Sequence, residues 1–317
     1  MITNDNYFIK LILKNLYNYI VFIKLKMSKI KHIFFLISLL YLTKSLNDDN
    51  DWDYKEHGSD WSSAFPNCGK GQQSPANILY SKAEKLGKSN FFYANLNIKK
   101  NMKKNATLEL IENNNILSLS FQGLGYVLYN IKDPWSLDNS PNSQKLKYDE
   151  EDLQEAQCHN IMIKIPGEHT FGNTEFDGEL QVNCTFQKES STDLRGVYVS
   201  IPIKIENENN ESQFSKILKN ILVEQKITID NLPQEIEFDT IDIVDGFAMM
   251  DGVYYYEGQS NYPPCNVYSM WFYVSKPVSF SQAVIDQLKL CIDKDKCPNG
   301  NNRSPSDVRE LYLYPQE

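Results

Sequence analysis

Two carboxylates and an imidazole lie close together in the stretch Pro166-Gly167-Glu168-His169-Thr170, followed by Glu179-Leu180-Gln181 with Glu179 eleven residues after Glu168. Carboxylate and imidazole groups at this range are what metal sites, and the hydrogen-bonded supports around them, are made from. Histidine is otherwise scarce: the 317 residues hold four, His32, His57, His159 and His169. The six cysteines, Cys68, Cys158, Cys184, Cys265, Cys291 and Cys297, contain no CxxC pair, which argues against a thiolate zinc site.

The elements that must hold these groups read as β-structure. Short runs of alternating or β-branched character recur at 94–98, 106–111, 116–121, 161–165, 179–186, 196–204, 254–256 and 269–274, separated by polar or Gly/Pro/Asn breaks. Helical periodicity is convincing at 213–224 and 281–290. The expectation is a mainly β single domain with a few peripheral helices, and one core of this size is feasible.

Residues 1–46 read as an N-terminal extension and signal peptide, with 47–317 as the folded domain. A basic stretch Ser28-Lys29-Ile30-Lys31-His32 precedes an apolar run from Ile33 to Leu42, then Thr43-Lys44-Ser45 supplies small residues for cleavage. Met27 is a candidate initiator. The apolar run is too short to span a bilayer, which takes about 20 residues; the alternative is an uncleaved anchor running from about Tyr7, which Lys14, Lys24 and Lys26 interrupt. Removing the seven Lys and one Asp of 1–46 leaves 25 basic and 40 acidic residues, a net charge of −15. That balance argues against nucleic acid and anionic membrane surfaces as partners, and no stable membrane span is expected after cleavage. An even cysteine count behind a signal peptide reads as disulfides in a secreted protein.

Several motifs, in order, resemble the α-class carbonic anhydrases over about residues 52–314. They are Trp52-x-Tyr54 with Gly58 and Trp61; Cys68-x-x-Gly71-x-Gln73-Ser74-Pro75; the Pro166–Thr170 and Glu179-Leu180 hairpin; Tyr256-x-Gly258 with Pro263-Pro264-Cys265 and Trp271; Val274-x-x-Pro277-Val278-x-Phe280-Ser281; and Asn301-Asn302-Arg303. The resemblance implies a large, twisted, mostly antiparallel sheet of about ten strands. It also implies a Cys68–Cys265 disulfide. Cys291–Cys297 could close a local loop. Cys158–Cys184 would join neighbouring strands, although alternation from Met162 and Gln181 puts those two cysteines on opposite faces.

The chemistry that the family performs needs Zn²⁺ on three neutral imidazoles, with a bound water whose pKa falls to about 7. Counted from Glu168 and Glu179, the three ligand positions read Met162, Lys164 and Gln181. A soft thioether, an ammonium and a weak amide oxygen are no substitute. A second alignment through Gln157-Cys158-His159 recovers one ligand, His159, and leaves Ile161 and Gln181. The position of the family's proton-shuttle histidine reads Asn115, which cannot titrate, and the gatekeeper threonine reads Asn261. Glu168 and Glu179 are retained as the supporting carboxylates. Lys164, if it faces inward beside one of them, would replace the metal's positive charge; the alternative is the opposite face, or an ammonium that reaches solvent. The cluster Tyr254-Tyr255-Tyr256 with Tyr262 reads either as a ligand wall or as ordinary sheet packing.

The expectation is therefore a secreted carbonic-anhydrase-like protein without zinc or any other cofactor and without CO₂ hydration. It would act as a binding or structural module for a protein or small-molecule partner. The alternative is an active carbonic anhydrase with an atypical zinc site. Asn105-Ala106-Thr107 and Asn210-Glu211-Ser212 are N-glycosylation sequons fitting secretion. Asn183-Cys184-Thr185 falls in a predicted core strand and Asn302-Arg303-Ser304 precedes Pro305, so both are expected to be unused.

Overall fold

The computed structural model describes residues 52–314, apart from 87–90, 96, 99–104, 113–114, 131–153, 188–193, 238–240, 243–251, 267 and 309. The segment expected to be a signal peptide and the candidate initiator Met27 lie outside the described residues. Among the described residues, no helix is long and apolar enough to cross a membrane.

A sheet of twelve strands organises the fold. Ten of them run in the order Gln234–Glu237, Asn105–Ile111, Ile116–Asn130, Gln154–Lys164, Gly178–Gln187, Leu194–Ile205, Tyr268–Val274, Val253–Gln259, Tyr312–Leu313 and Glu84–Lys85. Val278–Phe280 also pairs with Leu194–Ile205, and Phe91–Asn95 with Ile116–Asn130. Pairing is antiparallel except where Leu194–Ile205 meets 268–274 and 278–280, and where 312–313 meets 84–85. The sheet is thus mixed at one side, while its centre is the expected antiparallel ladder.

Side chains alternate across a strand, so each register row has one face. Ile161, Ile163, Leu180, Val182, Val199 and Ile201 are fully buried on one face and form the apolar core. The other face carries the rows Met162–Gln181–Ser200 and Lys164–Glu179–Pro202. These polar residues are as inaccessible as the core. Farther along, Phe92, Tyr129 and Tyr314 pack on Phe272 with ring centroids 4.6–5.9 Å apart.

Two strands are longer than their hydrophobic runs indicate. Ile116–Asn130 continues through Gln122-Gly123-Leu124-Gly125, where the pairing register slips between Ser120 and Gly125. Gln154–Lys164 begins in polar residues, because only Ala156 and Cys158 of its first half face inward. A second slip, between Cys158 and Asn160, makes His159 the extra residue of a β-bulge. The bulge resets the alternation, so Cys158 shares a face with Cys184 and the two form a disulfide. Uninterrupted alternation would have kept them apart.

Cys68–Cys265 is also bridged, across a sequence separation of 197. Cys291 and Cys297 are unpaired, correcting the expected local bridge. Their thiols point to different partners: Cys291 Sγ lies 3.4 Å from the Ile227 carbonyl, Cys297 Sγ 3.9 Å from that of Asn115. Burial pushes both thiols up to about 12.

The helices follow their periodicity. Gln213–Leu218 starts at Ser212, whose side chain accepts from the Ser215 N–H at 3.2 Å, and widens into a π-turn over Lys219–Val223. Phe214, Leu218 and Leu222 form its buried stripe. Gln282–Lys289 buries Val284, Ile285 and Leu288.

The chain-entropy model gives about 5 kcal/mol for a loop as long as that of Cys68–Cys265 and about 3.5 kcal/mol for the shorter Cys158–Cys184 loop. Thermal unfolding should therefore show a larger drop in midpoint for Cys68→Ala/Cys265→Ala than for Cys158→Ala/Cys184→Ala. Equal drops would place the stabilisation outside loop closure.

Candidate functional site

The Glu168–Thr170 hairpin is held over the polar face by its own backbone. Glu179 Oε2 accepts from the N–H groups of Glu168 and His169, at 2.9 and 2.7 Å. Its Oε1 accepts from Gln181 Nε2 at 2.7 Å and Ser200 Oγ at 2.8 Å, and lies 2.7 Å from His169 Nδ1. Burial by itself would raise this carboxyl, but the charge and hydrogen bonds of His169, with the Gln181 amide, lower it to about 2. A carboxylate that stays ionised only accepts, so the proton between it and His169 is on Nδ1. The imidazole Nε2 lies 2.7 Å from the Tyr256 hydroxyl, with Trp271 and Tyr273 packed against the ring.

Glu168 is the second anchor. Its Oε1 lies 3.0 Å from Lys164 Nζ and accepts from the Arg303 N–H at 2.9 Å. Its Oε2 accepts from Gln181 Nε2 at 2.8 Å and from Asn261 Nδ2. Lys164 is fully buried, and its ammonium also donates to the Tyr54 hydroxyl at 2.6 Å. Burial, reinforced by the Glu168 charge, holds the Tyr54 phenol well above its usual range, so it stays neutral and can accept. Lys164 thus faces inward, as the charge-replacement reading requires.

The expected ligand positions come together; all three are buried, and the two polar ones, Lys164 and Gln181, are engaged in other bonds. Met162 and Gln181 are directly opposed across neighbouring strands, and Lys164 follows two residues after Met162. Gln181 gives its amide to Glu168 and Glu179 and takes the Asn261 amide on its oxygen at 2.8 Å. Zinc does not fit this donor set. Among the described residues, no group of three His, Cys, Asp or Glu side chains is placed to hold a metal ion. His159 is exposed and bonded to Thr185 Oγ1 at 2.7 Å, so the second alignment brings no imidazole to the site. Asn115 is buried and donates to the Trp52 carbonyl at 2.6 Å.

Two contributors had no motif to announce them. Ser200 and Tyr198 sit on the inward face of Leu194–Ile205, opposite Gln181 and Asn183. Extending the rows of Gln181 and Asn183 across one more strand finds Ser200 and Tyr198 in turn. The Tyr198 ring stacks on Trp271 at 4.3 Å between centroids, and its hydroxyl donates to that of Tyr262. Tyr262 in turn lies parallel to Trp52 at 6.5 Å. Trp271, Tyr198, Tyr262 and Trp52 thereby form one continuous chain of aromatic contacts. Of the Tyr254–Tyr256 cluster, Tyr255 turns to Phe272 on the opposite face, while Tyr254 and Tyr256 pack against Phe171 and Trp271.

The C-terminal segment locks the hairpin. Asn301 bonds the Ile165 N–H through Oδ1 at 2.9 Å and the Ile163 carbonyl through Nδ2 at 2.8 Å, acting like a short added strand. Gly300 precedes it at φ +114°, where a Cβ would come within 2.2 Å of the Ile165 carbonyl oxygen. The Arg303 guanidinium reaches back to the carbonyls of Ser74 and Cys68, at 2.7 and 2.9 Å.

A broad, largely antiparallel sheet with a buried polar hairpin on one face is the architecture of the α-carbonic anhydrases. Among solved structures, a halotolerant carbonic anhydrase from Dunaliella salina matches with a TM-score of 0.61 at 15% identity, over 84% of this chain and 98% of that one. Dioscorin complexed with ascorbate matches with a TM-score of 0.59 at 19% identity, over 84% and 99%. Dioscorin DB3L from Dioscorea polystachya is 24% identical over 311 residues, 92% of this chain and 96% of that protein. The sequence profile of the eukaryotic-type carbonic anhydrases matches residues 56–312. The chain belongs to the eukaryotic-type carbonic anhydrase family.

Removing one partner of a buried ion pair costs about 3–5 kcal/mol. Lys164→Met should lower stability by that order in chemical denaturation, and adding Glu168→Gln should recover part of the loss. An unchanged Lys164→Met stability would show that the ammonium balances nothing. Glu179 has its folded pKa depressed from 4.5 to about 2, so its stabilisation is complete above about pH 4.5 and is lost as pH falls through about 2. The wild type should lose melting temperature across that window, and Glu179→Gln, less stable at neutral pH, should lose less.

Proposed function

We propose that this protein is a secreted, carbonic-anhydrase-like binding or structural module that holds no zinc and does not hydrate CO₂. The observation that carries the reading is the bonding of Met162, Lys164 and Gln181. All three positions that would ligate zinc are buried, and the two polar ones spend their hydrogen bonds on Glu168, Glu179, Tyr54 and Asn261. A metal-bound water also needs an open position and a route for its proton. Tyr198 stacks on Trp271 and Tyr262 lies parallel to Trp52 on this side of the sheet, and Asn115 offers no titratable group.

Hydrolysis in the retained scaffold has weaker support. Ser200, His169 and Glu179 are near one another, but serine and carboxylate both approach Nδ1, with Ser200 Oγ at 3.3 Å. A working triad uses the two ring nitrogens separately.

The two disulfides and the leader-like sequence support passage through an oxidising compartment. The ascorbate complex of dioscorin, which shares the fold, supports a small polar organic molecule as the class of ligand. Metal analysis of purified protein, with a stopped-flow CO₂-hydration assay before and after zinc addition, tests the central claim. The expected outcome is no stoichiometric zinc and a rate equal to buffer alone. One zinc per chain together with hydration activity would establish the active-enzyme alternative.

A further inference from the structure

Asn210 is exposed at a sequon, and we propose that it carries an N-linked glycan; this rests on the secretory reading above. Asn183 is half-buried within Gly178–Gln187, its neighbour Cys184 is in a disulfide, and the Thr185 hydroxyl is taken by His159. Asn302 has its side-chain oxygen buried, and the Arg303 guanidinium that follows is tied to Ser74 and Cys68. Asn105 opens a ladder strand and pairs with Glu237. Asn210, in contrast, is exposed at the end of the short 3₁₀ turn Glu208–Asn210, between the strand Leu194–Ile205 and the helix Gln213–Leu218.

The residues after it turn away from the surface position. Glu211 is buried and accepts from the Ser215 hydroxyl at 2.5 Å, while Ser212 caps the helix. A glycan on Asn210 therefore extends into solvent without displacing core contacts. The sequon hydroxyl of Ser212 becomes the helix cap once the chain folds, so transfer belongs to the unfolded, entering chain. The donor is a lipid-pyrophosphate-linked oligosaccharide used by a secretory-pathway transferase. Asn210 Nδ2 loses a proton and bonds the anomeric carbon of the sugar. The bond from that carbon to the pyrophosphate oxygen breaks, and the lipid pyrophosphate leaves with the electron pair.

The test expresses the full chain in a eukaryotic secretory host, beside residues 47–317 fused to that host's own cleavable leader. Enzymatic glycan release, which converts an occupied Asn to Asp, is followed by peptide mass mapping. Conversion at Asn210 in both proteins, lost in Asn210→Gln and kept in Ser212→Thr, is the expected result. Asn210→Gln leaves the Ser212 cap in place, so secreted yield reports folding independently. A secreted leader fusion unmodified at Asn210 overturns the proposal. Modification of the fusion but not of the full chain upholds the site and overturns secretion through residues 1–46.

Discussion

A lysine ammonium with no access to water is the fact around which this polar face is arranged. Lys164 lies on a strand whose neighbours are core residues, and it cannot reach solvent, so its charge must be met in place. Glu168 meets it at 3.0 Å and the Tyr54 hydroxyl completes the contact. From there the other requirements follow. Glu168 must be held by Arg303, Gln181 and Asn261, and Glu179 must be held by the hairpin backbone, His169 and Ser200. Each carboxylate shares Gln181, so the two anchors form one network.

The same network explains how distant parts of the chain are fastened. Tyr54 brings the N-terminal segment to the sheet. Asn261 brings the loop that Cys265 ties to Cys68. Arg303 brings the C-terminal segment and, through its guanidinium, grips the same Cys68–Ser74 stretch. Tyr54 and Arg303, more than two hundred positions apart, thus meet at the Lys164–Glu168 pair, one through the ammonium and the other through the carboxylate.

Much of this was legible in the sequence, for reasons that differ by residue. The central strands declared themselves because their apolar face alternates cleanly, as in Ile161-Met162-Ile163-Lys164-Ile165. The site positions followed from spacing to Glu168 and Glu179. The long polar extension of Gln154–Lys164 was hidden because Ala156 and Cys158 carry too little hydrophobic signal. The Cys158–Cys184 bridge was obscured by the bulge at His159, since a one-residue insertion in the ladder leaves no mark in composition. Tyr198 and Ser200 belong to no motif; only the register of a neighbouring strand places them.

The double donation by Gln181 has a consequence for any substitution at that position. Its side chain supplies two N–H bonds to two buried anions and an oxygen to Asn261. A lone histidine at 181 could not serve all three, and would gain no coordination partner while Met162 and Lys164 stand. Such a substitution therefore loses stability without completing a ligand set. A single substitution at 181 breaks the junction between the two carboxylates, whatever the new side chain can coordinate.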